Sequence, residues 1–338
     1  MPLLDVKNLT VEIDTGSVFV KALDKVSLTV ETGEIRALVG ESGSGKSLIV
    51  RAIIGAIPDH WIITADRLTW KGQNLLGMSN EQRRIIMRRE IAVVFQDPTS
   101  SLDPSATLIS QLEESIPEEL LDKGMFWHRN KQRRQIAVGL MHKVGIKNHE
   151  ACMQRYPHEI AADIAQKFMI AMALVSEPEL LIADDPTRSM ESTTKNQILR
   201  LLSGLNETRK LAILFVSHDL LAISSMAHTM TVLYCGQTVE SGKVKHLHRR
   251  PLHPYTKALL DSAPSFQINL PPKSHLVALP GTIPTLKHLP IGCRLGPRCP
   301  NARKECVKVP EQKMVHQHSY SCHFPLHSPV DDDLENKQ

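Results

Sequence analysis

The chain has 338 residues, 42% hydrophobic and 22% charged, an ordinary globular balance, and single cores stop growing near roughly 250–300 residues, so a large domain plus a small one is expected. Its formal charge of +4 is too mild an excess to argue for nucleic acid, and no apolar run approaches the roughly 20 residues that cross a bilayer. The opening "MPLLDVKNLT" lacks the basic and apolar regions of a signal peptide, so the expected place is the cytosol or the cytosolic side of a membrane.

From residue 3 to about 240, β-rich apolar runs such as "EIRALVG", "IAVVFQ", "ELLIADD" and "LAILFVSHD" alternate with helical patterns, which predicts a sheet covered by helices. The strand "EIRALVG" runs into "GESGSGKS" and then into the apolar helix "LIVRAIIGA", the strand-loop-helix context that the G-x-x-x-x-G-K-[ST] pattern requires. Glycines there let backbone N–H groups converge on phosphate oxygens, and the helix N-terminus adds its partial positive charge. The candidate nucleotide-binding residues are Gly40, Glu41, Ser42, Gly43, Ser44, Gly45, Lys46, Ser47 and Leu48, with Lys46 for the β/γ-phosphates and Ser47 for Mg²⁺.

Between Thr107 and Glu150 the pattern is almost wholly helical and includes the basic "RNKQRRQ"; it reads as a helical insert spanning about 106–176. Further on, "LLIAD" delivers Asp184 at a strand's C-terminal end, where open parallel sheets place their ligands; Asp184 is expected to hold Mg²⁺ through its water shell. After "PLHPYTKALLDSAP" the proline density rises and periodicity fades, so a second, loop-rich unit is expected over 251–327, with a disordered acidic tail over 328–338. Of six cysteines, Cys293, Cys299, Cys306 and Cys322 crowd together as C-x5-C-x6-C-x15-C. In a reducing compartment that crowding suggests metal rather than disulfides, and generic four-thiolate sites hold Zn²⁺ or an iron–sulfur cluster.

The set "GESGSGKS", "VVFQDPTSSLDP", "YPHE…MIAMAL", "LLIADDPT" and "LFVSHDL", in that order, resembles the ATP-binding subunit of ABC transporters; "YPHE" and "HPYTKALL" resemble the oligopeptide/dipeptide importer branch. The resemblance covers nearly the full chain. It implies an α/β P-loop NTPase of the ABC nucleotide-binding type over 1–250 with a helical subdomain, followed by the small cysteine-containing C-terminal domain. It implies that Gln96 touches Mg²⁺ and the attacking water, that His218 contacts the γ-phosphate, and that Asp185 stands where family members carry a water-polarising Glu. Phe19 is either the aromatic that stacks on adenine or plain strand core. The four tail cysteines resemble ligands of a [4Fe-4S] cluster, with zinc or unligated thiols as alternatives; a structural staple is the modest role, and the phosphate loop is expected to belong to a separate core.

Three elements depart from the family. Asp185 is one methylene shorter than Glu, which retracts the carboxylate by about 1.5 Å, and a misplacement near 1 Å can cost on the order of 100-fold in rate. Where the family has Leu-Ser-Gly-Gly to grip the γ-phosphate held by the other subunit of a head-to-tail dimer, this chain reads Ile160, Ala161, Ala162, Asp163. Two like charges about 4 Å apart repel by roughly 4 kcal/mol at an effective dielectric near 20, so Asp163 opposes closure over a phosphate. "RSME" also replaces the usual "SALD" after "DDPT".

The expected function is an energy-coupling ATPase subunit of a peptide ABC transporter of the antimicrobial or oligopeptide type, using ATP and Mg²⁺, with weakened hydrolysis. The expected partners are an intact ATP-binding paralogue in a heterodimer, two membrane-spanning permease subunits and, indirectly, a periplasmic peptide-binding protein, with no nucleic acid; the expected place is the cytoplasmic face of a bacterial inner membrane. The rival readings are a regulatory subunit that holds ATP without turning it over, and a soluble DNA-repair or translation ATPase, which the single cassette without a long coiled coil disfavours.

Overall fold

Leu4–Asp14 and Phe19–Val30 alternate apolar and polar residues and pair antiparallel, Leu4 opposite Val30 and Asp14 opposite Phe19. Leu4, Leu9, Val11, Leu23, Val26 and Val30 are all fully buried; unbroken period-2 alternation would turn Leu4 and Leu9 to opposite faces, and the register shift between Val6 and Leu9 resets it. Arg67–Trp70 and Ile62–Thr64 pair with Leu4–Asp14, and Gln73–Asn74 extends the sheet beyond Arg67–Trp70. The computed structural model describes residues 1–16, 18–122, 126–188, 190–263 and 279–327; the tail expected to be disordered, 328–338, and Ser189 of "RSME" lie outside the described residues.

Residue contacts divide the chain into two compact units, Met1–Met78 with Phe215–Gln338, and Ser79–Leu214. In the first, the buried strand Ile35–Val39 runs parallel to Thr229–Tyr234, which turns back antiparallel into Gln237–Lys243. Cys235 and Gly236 make that two-residue turn with φ of 44° and 76°, the pair of left-handed conformations that a type I′ hairpin needs. The C-terminal segment adds to the same sheet: His318–Tyr320 pairs antiparallel with Gln237–Lys243, and Lys313–Val315 with His318–Tyr320. The expected boundary near residue 250 therefore falls inside this unit.

Glu240, fully buried, ties the segment down. Its carboxylate accepts the backbone N–H of Leu252 at 2.7 Å and of His253 at 3.0 Å, and lies 2.7 Å from His318 Nε2. His253 in turn caps the helix Pro254–Asp261, its Nδ1 accepting the N–H of Tyr255.

The second unit holds the parallel pair Ile91–Val94 and Leu180–Asp184, both short β-branched or aliphatic runs. Asn80–Arg89 begins in a capping box between Ser79 and Gln82. The helical insert is present as Leu108–Ser115, Phe126–Lys143, His149–Met153 and Ala162–Ala173. Ser192–Arg209 follows, and the chain re-enters the first unit within the strand Ala212–Ser217. Among the described residues no helix is long and apolar enough to cross a membrane.

Candidate nucleotide site

In the first unit, the strand Ile35–Val39 opens into the Gly40–Gly45 loop and the loop into the helix Lys46–Ile54, whose Ile49, Val50, Ala52 and Ile53 are buried and so aim the helix N-terminus at the loop. Gly40 is required by a close approach: a Cβ there would stand 2.3 Å from the Leu233 carbonyl oxygen. Lys46 Nζ donates to the carbonyl oxygens of Gly40 at 2.7 Å and Glu41 at 2.9 Å, which holds the ammonium inside the loop. Ser44 is buried, and its carbonyl accepts the N–H of Gly236 at 2.8 Å.

Glu41 is held from far along the chain. Its N–H donates to the Tyr255 hydroxyl at 2.9 Å, and its carboxylate receives Arg298 Nη1 at 3.0 Å and Nη2 at 3.5 Å. Tyr234 packs edge-on against Tyr255 at 4.7 Å and its hydroxyl accepts from Arg298; burial pushes the Tyr234 phenol up to about 12 and raises that of Tyr255 as well. Burial works against the charge of Arg298, but Glu41 and Tyr234 more than offset it and hold the guanidinium above its ordinary range. The expectation that the phosphate loop sits in a core of its own, apart from the tail, is thus corrected by these contacts: packing brings the C-terminal segment onto the loop.

Phe19 is 52% exposed at the start of its strand, which removes the reading of it as strand core. His218 is exposed immediately after the strand Ala212–Ser217, and Asp219 beside it accepts the N–H groups of Leu221 and Ala222, capping the helix Leu220–Met226. Strand end and capped helix fix the backbone on either side of the histidine.

The second unit carries Gln96, Asp184, Asp185 and the segment 160–163. Asp184 ends a strand whose five residues are all buried. Asp185 is 9% exposed and adopts φ 49°, a left-handed conformation that short polar side chains tolerate. Burial lowers the Lys195 ammonium, and the Asp185 carboxylate pulls it back toward the charged form. Gln96 is half-buried two residues beyond Ile91–Val94, next to the exposed ring of Phe95. At the mouth of the helix Ala162–Ala173, Ala161 is the N-cap and makes no side-chain cap bond, Ala162 is exposed, and Asp163 lies in the first turn. A serine at the cap would have supplied the missing acceptor.

Cys293, Cys299, Cys306 and Cys322 are free thiols lining one small cavity with His253 and Phe324. Burial pushes the Cys322 thiol up to about 11, with the other three thiols acting in the same direction, and burial raises Cys293 and Cys299 as well. Four sulfur donors around one cavity are the right chemistry for a thiolate-bound metal, because only a cation would favour the thiolate there. Among the described residues, however, no group of three or more His, Cys, Asp or Glu stands at metal-ligating spacing.

The residues that sequence reasoning missed are Tyr255, Arg298, Arg294 and Tyr234. "HPYTKALL" marks Tyr255 as a family string, but nothing local announces that its hydroxyl meets the phosphate loop.

Residues 23–188 match the ABC transporter family and residues 239–306 the oligopeptide/dipeptide transporter C-terminal region. The peptide transport system ATP-binding protein SapD of Escherichia coli O6:H1 is 50% identical over 326 residues, covering 96% of this chain and 98% of that protein. SapD of Haemophilus influenzae is 46% identical, with 96% and 93% covered, and the dipeptide transport ATP-binding protein DppD of Escherichia coli K12 is 38% identical, with 96% and 98% covered. The Sap (sensitivity to antimicrobial peptides) resemblance that the eroded signature segment points to agrees with these relatives. Among solved structures, the ATP-binding cassette MJ0796 in its dimeric post-hydrolysis state bound to ADP and Pi gives a TM-score of 0.61 at 24% identity, over 71% of this chain and 98% of that one.

Proposed function

Since the chain belongs to the ATP-binding proteins of the ABC transporter family, with the oligopeptide/dipeptide C-terminal region, we propose that it is the energy-coupling ATPase of a peptide importer, paired with an intact paralogue. The observation that carries this reading is the phosphate loop: a glycine-dependent turn, a buried helix aimed at it, and Lys46 held inside it by two carbonyls. Nucleotide phosphates exchange those carbonyls for charged oxygens, a stronger pairing for an ammonium. In the first unit Ser47 is a Mg²⁺ ligand, Phe19 stacks on adenine and His218 contacts the γ-phosphate; in the second unit Asp184 is a Mg²⁺ ligand, and Gln96 and Asp185 orient the attacking water.

Asp185 and the altered 160–163 segment support weakened hydrolysis. A homodimer would repeat both defects, whereas a heterodimer sets this chain's phosphate loop against a complete signature, which favours the paralogue as partner. In the second unit, a groove of about 430 Å³ lined by Met87, Ala92, Phe95, Leu102, Met169 and Met172 suits an apolar helix of a membrane-spanning permease; its methionines adapt to such a surface. Two permease subunits, and through them a periplasmic peptide-binding protein, complete the assembly on the cytoplasmic face of a bacterial inner membrane. Cys293, Cys299, Cys306 and Cys322 would hold a [4Fe-4S] cluster, or zinc, as a structural staple for a loop-rich segment.

The test is ATP turnover by the purified chain with and without its paralogue and permeases. Turnover that appears or rises on assembly supports the energy-coupling role. MgATP binding without turnover in any assembly assigns the regulatory role instead.

A further inference from the structure

The segment from Cys293 to Cys299 carries two arginines, Arg294 and Arg298, each with a side chain only 8% exposed. Neither is used by the chemistry above. Arg298 grips the Glu41 carboxylate with two nitrogens and is itself fixed by the Tyr234 hydroxyl at 3.3 Å and the Pro280 carbonyl at 3.0 Å. Arg294 donates to the Cys235 carbonyl and lies 3.4 Å from Asp24, while the neighbouring Gly236 N–H donates to Ser44. One short segment therefore reaches the phosphate loop twice, directly at Glu41 and through the hairpin turn at Ser44.

Glu41 puts a carboxylate, 31% exposed, on the loop whose N–H groups are read as a polyanion cradle, and a negative charge that near repels such a ligand. A bidentate guanidinium cancels that charge and fixes the side chain that bears it. If Arg298 were only glue between the C-terminal segment and the loop, the sign of residue 41 would not matter to nucleotide affinity. The position of the pair in the loop makes it matter.

We propose that Arg298 is a positioning residue for nucleotide binding: it neutralises and anchors Glu41, so that the cysteine-bearing segment sets how well the phosphate loop accepts MgATP. The inference rests on the nucleotide-binding reading of that loop. It differs from the expectation that the tail and the phosphate loop act separately.

The experiment measures MgATP affinity of the full chain by calorimetry, with thermal melts in parallel. Arg298→Ala is expected to weaken binding by about tenfold or more, the scale of an unpaired charge beside a polyanion. Adding Glu41→Gln to that variant should recover most of the loss, because the charge that Arg298 cancels is gone. If Arg298→Ala does not fold, Arg298→Gln, which keeps donors but no charge, takes its place with the same expectation. Wild-type chain that fails to bind MgATP would sink the nucleotide reading itself. Wild-type binding with unchanged affinity in the arginine variant overturns this inference alone, as does a loss that Glu41→Gln does not recover.

Discussion

Replacing Asp185 by Glu adds one methylene at a position that is 9% exposed, directly after the buried Asp184, and held at φ 49°. The carboxylate moves outward by about 1.5 Å, and since a misplacement near 1 Å is worth on the order of 100-fold in rate, the ceiling of the gain is about 100-fold, or about 2.7 kcal/mol of barrier. Two features act against it. Lys195 attracts the existing carboxylate, and Glu tolerates the left-handed backbone less well than Asp, at a cost of about 1 kcal/mol of stability. The expected result is a tenfold to roughly 100-fold rise in kcat with KM for ATP little changed, because the phosphate loop is untouched, together with a melting temperature lower by a few degrees. Phosphate release by the assembled complex in membrane vesicles gives both constants. A flat or lower kcat in a complex that still assembles and binds ATP would refute the argument that the short carboxylate limits hydrolysis.

Lys46→Ala should abolish MgATP binding, measured by calorimetry, since the loop loses its phosphate-reaching cation. Burial lowers His253 from 6.5 to about 4, so the folded state binds fewer protons than the unfolded one between those values. The stability this supplies is fully present above pH 6.5 and is lost as pH falls through that value toward about 4, on the order of 3 kcal/mol; denaturant titrations at pH 7, 5.5 and 4 should show the decline, and His253→Asn should flatten it. If the four tail thiols ligate an iron–sulfur cluster, anaerobically purified protein should be brown and contain about four iron per chain, and replacing Cys299 by Ser should bleach it; colourless protein with stoichiometric zinc moves the site to zinc.

The phosphate loop was legible from a dozen consecutive residues, because strand, glycines, lysine and helix N-terminus are chain neighbours and their geometry follows from local backbone preferences. The hairpin at Cys235–Gly236 gave no such warning, since Cys is not a usual left-handed residue and is held there by the contacts around it. Phe19 could not be assigned between core and surface from its strand pattern; the fold exposes it. The spacing of the four cysteines hinted at a common site, and packing does bring them to one cavity, though without ligating geometry. Arg298 and Glu41 lie 257 residues apart, and Tyr255 and Glu41 214 apart. Periodicity reports which face of an element is buried but not which distant charge will meet it. That pairing is decided only when the C-terminal strand docks on the sheet and brings the buried Arg298 guanidinium to the Glu41 carboxylate.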